Sequence, residues 1–252
     1  MLEFLSDGLT LGQRVCYAAF GDADRLLDDL RGLDGLAEAL AAGAVQVRSL
    51  GSLYPDDTPV DQLAQVRAYA EQTAQARADG YTGLRVVAEA TALVRTPAQL
   101  DAFARYEHLV DRYMATQPFA AMCGYDRREL DAGMIAQVAC MHPTVSAGAS
   151  QFRLHASERA AASLGGEIDI NTRDLFPRAL ERTDLWPTGG ELVIDATDLL
   201  FIDHRGLIAL GEYAARRGGV AVLRTGNPTA ARIVEILRLT DVRVESPLAQ
   251  AA

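Results

Sequence analysis

Short apolar runs alternate with longer segments of helical periodicity through the first half of this chain. Residues 14–19 (RVCYAA), 45–47 (VQV), 84–89 (LRVVAE) and 119–123 (FAAMC) are each too short for a buried helix and read as strands. Between and around them, residues 1–12, 24–30, 36–41, 61–79, 97–115 and 131–140 read as helices. Gly43 and Gly80 sit where a left-handed residue ends a helix, and Thr96-Pro97 supplies a cap followed by a first-turn proline. Residues 49–59, with Gly51, Pro55 and Pro59, read as a loop. A strand followed by a helix and another strand favours parallel pairing, so the pattern predicts an α/β domain built on a parallel sheet.

The rhythm changes after Ser146 to Ser150 (SAGAS), where the domain boundary is expected. Residues 152–156 and 160–170 read as two strands of a hairpin turning near Ser157-Glu158. A helix over 171–185 follows, with Asn171 or Thr172 as its cap. Next come a strand at 192–194, a helix at 207–217, a strand at 220–223, a helix from Asn227-Pro228 to 239 and a short closing strand at 242–245. The order is that of a small α/β sandwich of about 100 residues. Its focal stretch is ELVIDATDLLFIDHRG, 191–206, in which two apolar patches lead to a polar turn, Asp203-His204-Arg205-Gly206, just ahead of a helix.

Composition removes several function classes. Acidic residues outnumber basic ones 34 to 24, for a net charge of −10, which argues against a general nucleic-acid surface. Every basic residue is arginine. A phosphate-binding P-loop needs its lysine, and Schiff-base chemistry needs one too, so both are excluded. Cys16, Cys123 and Cys140 are odd in number and sit in apolar settings, as buried structural thiols do. Cys140 and His142 alone do not make a metal site, and no metal or cofactor is expected. No apolar run approaches the roughly 18 residues of a membrane span, and the N-terminal segment lacks a signal peptide's basic region. A cytoplasmic location is expected.

Three blocks of the second half, GGEIDINTRDLFPRAL, LVIDATDLLFIDHRGLIAL and VAVLRTGNPTAARIVEILRLTDV, come in the order and spacing of the STAS domain. Residues 151–248 thus resemble the STAS domain of anti-sigma factor antagonists. In phosphorylation-switched members of that family, the residue after the focal aspartate is the serine that an anti-sigma kinase modifies. Here His204 follows Asp203, and Arg205 comes next; neither can receive a serine phosphate. The resemblance implies a partner-binding surface at Asp203, His204, Arg205 and Gly206, with an anti-sigma factor or a related regulator as partner.

The first half carries Gly8-Leu9 with Gly12, Gly80-Tyr81 with Gly83-Leu84-Arg85-Val86, Glu89, Tyr106-Glu107, Met122-Cys123 with Tyr125-Asp126, and His142-Pro143. On these residues, 1–148 resemble the MEDS sensory domain (methanogen/methylotroph, dichloromethane-regulator sensory). That resemblance implies a RecA/KaiC-like parallel-sheet domain lacking a P-loop, in agreement with the missing lysine. Arg85, Glu89, Glu107, Tyr125, Asp126 and His142 are polar groups at strand or helix ends, and ligands of α/β sheets sit at the carboxyl ends of strands. They are the candidate ligand-binding set. Arg85, Glu89 and Glu107 can equally be read as a buried ion-pair network.

The expected protein is therefore a non-catalytic regulator: a small-molecule or partner sensor followed by a partner-binding module. It binds neither nucleic acid nor membrane directly, and the sequence permits a homodimer. The alternative is a nucleotide-binding protein or enzyme on the RecA-like half, with Glu89 as base. A third reading makes both halves a scaffold.

Overall fold

The computed structural model describes residues 1–52, 54 and 58–247. Residues 53 and 55–57, part of the expected loop, and 248–252, which include the expected end of the second domain, lie outside the described residues. The chain divides into two compact units, Met1–Asp131 and Ala132–Ala252, so the division falls ahead of the SAGAS stretch. The helix at 132–139 goes with the second unit. Gln137 accepts a 2.9 Å bond from Arg182, and the Cys140 carbonyl accepts from Leu154 N at 2.6 Å.

In the first unit, β1 (Arg14–Ala19), β2 (Val45–Ser49), β3 (Leu84–Glu89) and β4 (Phe119–Gly124) form an all-parallel sheet in the order β2-β1-β3-β4. Its helices are α1 (Leu2–Thr10), α2 (Ala23–Asp28), α3 (Leu36–Ala41), α4 (Gln62–Ala78) and α5 (Pro97–Met114). The step from β1 to β2 runs opposite to the steps into β3 and β4. Right-handed crossovers then place α2 and α3 on one face and α4 and α5 on the other. Strand β1, covered on both faces, is buried along its whole length. Val15, Tyr17 and Ala19 enter a core with Leu5, Leu26, Leu30, Val45 and Val87. Cys16 and Val86, out of phase, face α4 and α5, where Tyr69 packs on Phe119 at 4.9 Å between ring centroids. Helix α5 begins in a reciprocal cap: Gln99 N donates to Thr96 Oγ1 at 3.2 Å and Thr96 N to Gln99 Oε1 at 2.9 Å.

In the second unit, α6 (Ala132–Ala139) precedes β5 (Phe152–His155), β6 (Ala162–Ile168), α7 (Leu175–Thr183), β7 (Glu191–Asp195) and β8 (Leu199–Ile202). Then come α8 (His204–Ala215), β9 (Val220–Arg224), α9 (Pro228–Leu237) and β10 (Val242–Glu245). The sheet is mixed, in the order β10-β9-β7-β6-β5, with β5 and β6 antiparallel and the other pairs parallel. The second apolar patch of the focal stretch is itself a strand. β7 pairs with β6 at Ala162-Ser163, and β8 pairs with β6 at Gly166–Ile168, past a register shift. Every crossover steps the same way across the sheet, so α7, α8 and α9 share one face. Leu192, Ile194, Ala221 and Leu223 are fully buried there with Leu207 and Leu210.

Two helix starts differ from the sequence reading. Helix α7 starts at Leu175 rather than at 171, because Thr172 is drawn into a turn in which its hydroxyl accepts from Asp169 N at 2.9 Å. Asp203-His204-Arg205-Gly206 is not a turn ahead of the helix. Asp203 is the N-cap of α8, its carboxylate accepting from Gly206 N at 2.8 Å, and His204 to Gly206 are the first helical turn.

Candidate functional site

Two places in the structure gather the sequence-predicted polar residues, one in each unit. The first is the carboxyl end of the β3–β4 pair, where Glu89 lies opposite Gly124. Glu89 ends β3, and its carboxylate accepts from Thr91 N at 3.2 Å and from the Thr91 hydroxyl. The same hydroxyl accepts from Asp126 N at 2.8 Å. Thr91 therefore ties Glu89 to the segment leaving β4. The Asp126 carboxylate takes a two-pronged contact from Arg128, closest at 2.6 Å. The Arg128 bonds, from side chain and backbone, hold its pKa down at about 2.

Glu107, on the buried side of α5, accepts from the Cys123 thiol at 3.3 Å. Burial first, and Glu107 second, push that thiol well above the ordinary cysteine range. The Tyr125 hydroxyl is buried without a well-formed hydrogen bond, and burial and the neighbouring Cys123 raise its pKa strongly. Cys123 and Tyr125 are thus held protonated, which makes them neutral donors and poor nucleophiles. Glu107 and Cys123 both have metal-donor side chains, and they touch each other.

Arg85 does not join this group. It is the second residue of β3, about 13 Å along the strand from Glu89. Its Nε donates to Gln13 Oε1 at 2.7 Å, Nη1 donates to the Phe4 carbonyl at 3.1 Å, and the guanidinium lies 4.5 Å from the Phe4 ring centroid. It thus pins α1 to the amino end of the sheet, so the ion-pair network of Arg85 with Glu89 and Glu107 does not form. His142 belongs to the second unit, just past α6, with its backbone N–H on Ala139 O at 3.2 Å. Thr91 was missed from sequence. Its signal was a hydroxyl two residues beyond a strand-end carboxylate, a spacing suited to local side-chain bonding. Cys123 stood among the residues of the MEDS resemblance, but its contact with Glu107 had no sequence signal.

The second place is the head of α8. The Asp203 carboxylate is committed to capping, and Asp203 N is anchored to Ile168 O at 2.9 Å. Gly206 is required by packing: a Cβ there would stand 2.7 Å from Ile168 Cγ2 and 2.8 Å from Ile202 Cγ1. Only a bare α-carbon lets α8 start so close to the ends of β6 and β8. His204 and Arg205 are exposed, and among the described residues neither side chain makes a hydrogen bond or ion pair. Leu200 of β8 is 70% exposed, and Phe201 and Ile208 are exposed as well. Large apolar groups in contact with water beside two uncommitted basic groups suit docking rather than catalysis.

An all-parallel α/β sheet is shared by many unrelated activities, and a chain without lysine has no residue for a phosphate loop's lysine. The particular family follows from the family profile described as MEthanogen/methylotroph, DcmR Sensory domain (MEDS), which matches residues 1–143. That match spans more than half of the 252-residue chain, and the chain belongs to the MEDS family. A regulatory sensing role goes with that membership. No curated protein matches the chain. Among the described residues, no helix is long and apolar enough to cross a membrane.

Proposed function

We propose that the protein is a non-catalytic regulator in which the MEDS part senses a small molecule or partner and the second unit is a STAS-type module that binds an anti-sigma factor. The observation that carries this reading is the head of α8. Asp203 caps the helix, and His204, Arg205, Leu200, Phe201 and Ile208 present basic and apolar groups that the unit does not use itself. Such a surface suits a partner with an acidic rim around an apolar centre. The antiparallel β5–β6 hairpin, the parallel strands that follow and the strand broken into β7 and β8 also support a STAS-type assignment. With His204 in the serine position, phosphorylation does not switch this surface, and control enters through the sensory part.

The first unit, in this reading, is a relative of RecA/KaiC-like domains that has given up nucleotide hydrolysis. Its all-parallel sheet and the chain's lack of lysine support that. The test is capture of partners from the native host by wild type and by the double variant His204→Asp, Arg205→Ala. Wild type is expected to bring down an anti-sigma factor, identified by mass spectrometry, and the double variant is expected to lose it. Recovery of the same partners by both would sink the role of this surface. Calorimetric titration with ATP and GTP addresses the alternative, in which tight, magnesium-dependent binding would make the first half a nucleotide site.

A further inference from the structure

The face of the second sheet opposite α7, α8 and α9 carries Arg153, Ser163 and His155, of which His155 Nδ1 lies 3.0 Å from Ala156 O. Alternation in β5 buries Phe152 and Leu154 and turns Arg153 and His155 the other way. Across the hairpin, Arg153 pairs with Gly165 and His155 with Ser163. A Cβ on Gly165 would lie 3.4 Å from Arg153 Nη2 and 3.1 Å from Asp198 Cβ. A residue with no side chain therefore lets the guanidinium lie against the strand.

Arg153 is half-buried, and its Nε is buried with no hydrogen-bond partner. The other arginines withdrawn from solvent all have partners. Arg14 bonds Asp79, Arg85 bonds Gln13, Arg182 bonds Gln137, Arg217 bonds Glu181, and Arg224 bonds Glu245. In a chain with 34 acidic residues, no carboxylate among the described residues pairs with Arg153. Asp195, beside Ser163 in the sheet, accepts instead from Thr197 N at 3.2 Å and Thr197 Oγ1 at 2.7 Å. Among the described residues the Ser163 hydroxyl has no partner either. A guanidinium partly removed from water and left unpaired is unfavourable, and its natural complement is an oxyanion.

We propose that Arg153 and Ser163 bind a phosphoryl group, with Gly165 as the floor of the site. The guanidinium fork supplies two parallel donors and the hydroxyl a third. The proposal does not rest on the partner reading of α8, which lies on the other face of the sheet.

The test is calorimetric titration of the full-length protein with inorganic phosphate and with phosphoserine, at an ionic strength held constant with chloride. Saturable one-site binding is expected. Arg153→Gln should weaken it about tenfold or more, the loss expected for a charged two-pronged contact. Ser163→Ala should weaken it less, and Arg205→Ala should leave it unchanged. Tighter binding of phosphoserine would assign a phosphate ester as the ligand, and tighter binding of inorganic phosphate would assign the free ion. Thermal melts verify that each variant folds. Should Arg153→Gln fail to fold, Arg153→Lys keeps the charge, removes the fork and should still weaken binding. No saturable binding, or equal binding by wild type and a folded Arg153 variant, would overturn the site.

Discussion

The strand ends of the first unit and the head of α8 both place polar side chains where a strand gives way to the next element, and they use them in opposite ways. Glu89, Thr91 and Asp126 N bond one another, Glu107 takes the Cys123 thiol, and Asp126 takes Arg128. At α8 only the Asp203 carboxylate is used internally, while His204 and Arg205 are exposed beside Leu200, Phe201 and Ile208. A network whose groups already bond one another changes state by exchanging partners, which is the behaviour a sensor needs. A surface with unused groups loses little by being covered, which is what a docking site needs. In the proposed reading, the first unit detects and the head of α8 carries the output.

Substitutions put that contrast to the test. The largest effect is expected from Gly206→Val, which drives a side chain into Ile168 and Ile202 and should cost about 3 kcal/mol in denaturant unfolding. Glu89→Ala strands the Thr91 N–H and hydroxyl and should cost about 2 kcal/mol, with loss of amide protection around residues 89–94 in hydrogen exchange. Removing the α8 cap with Asp203→Ala should cost about 1 kcal/mol, and Asp203→Asn should restore most of it. His204→Ala and Arg205→Ala should change stability by less than about 0.5 kcal/mol while weakening partner capture. If either destabilises as Glu89→Ala does, the contrast between the two regions fails.

The smallest effect concerns acid. The folded pKa of Asp126, about 2, lies below the roughly 3.9 of an unfolded aspartate. Its contribution to stability is therefore present above pH about 4 and lost as pH falls through about 2. The Arg128 side chain is 90% exposed, so the stability at stake is slight. The titration midpoint followed by NMR is the sensitive readout, and Arg128→Ala should return it toward the ordinary aspartate value.

Much of the fold was legible because its strands are short apolar runs with clear glycine and proline punctuation. β1, β3, α3 and β10 fall where periodicity puts them. β8 escaped because the polar Ala196–Asp198 segment interrupts the strand, and pairing with β6 resumes only after a register shift. The start of α8 was misplaced because Asp203-His204-Arg205-Gly206 has no helical hydrophobic period. The cap bond to Gly206 N, which sequence does not display, sets it. Among the site residues, Glu89 and Asp126 stood out as charges at strand ends. The direction of Arg85 was hidden because its partners, Gln13 and the Phe4 carbonyl, lie more than 70 positions away in sequence. The Glu107–Cys123 contact likewise depends on how α5 packs on β4.

In the proposed reading, output leaves through the head of α8 while the strand ends of the first unit stay inside. Hydrogen exchange on the full-length protein, with and without the captured partner, tests it most directly. The account predicts slower exchange across residues 199–208 on binding, with the amides of 89–94 and 124–126 unprotected by partner contact. Protection confined to the strand ends of the first unit, with 199–208 unchanged, would contradict it.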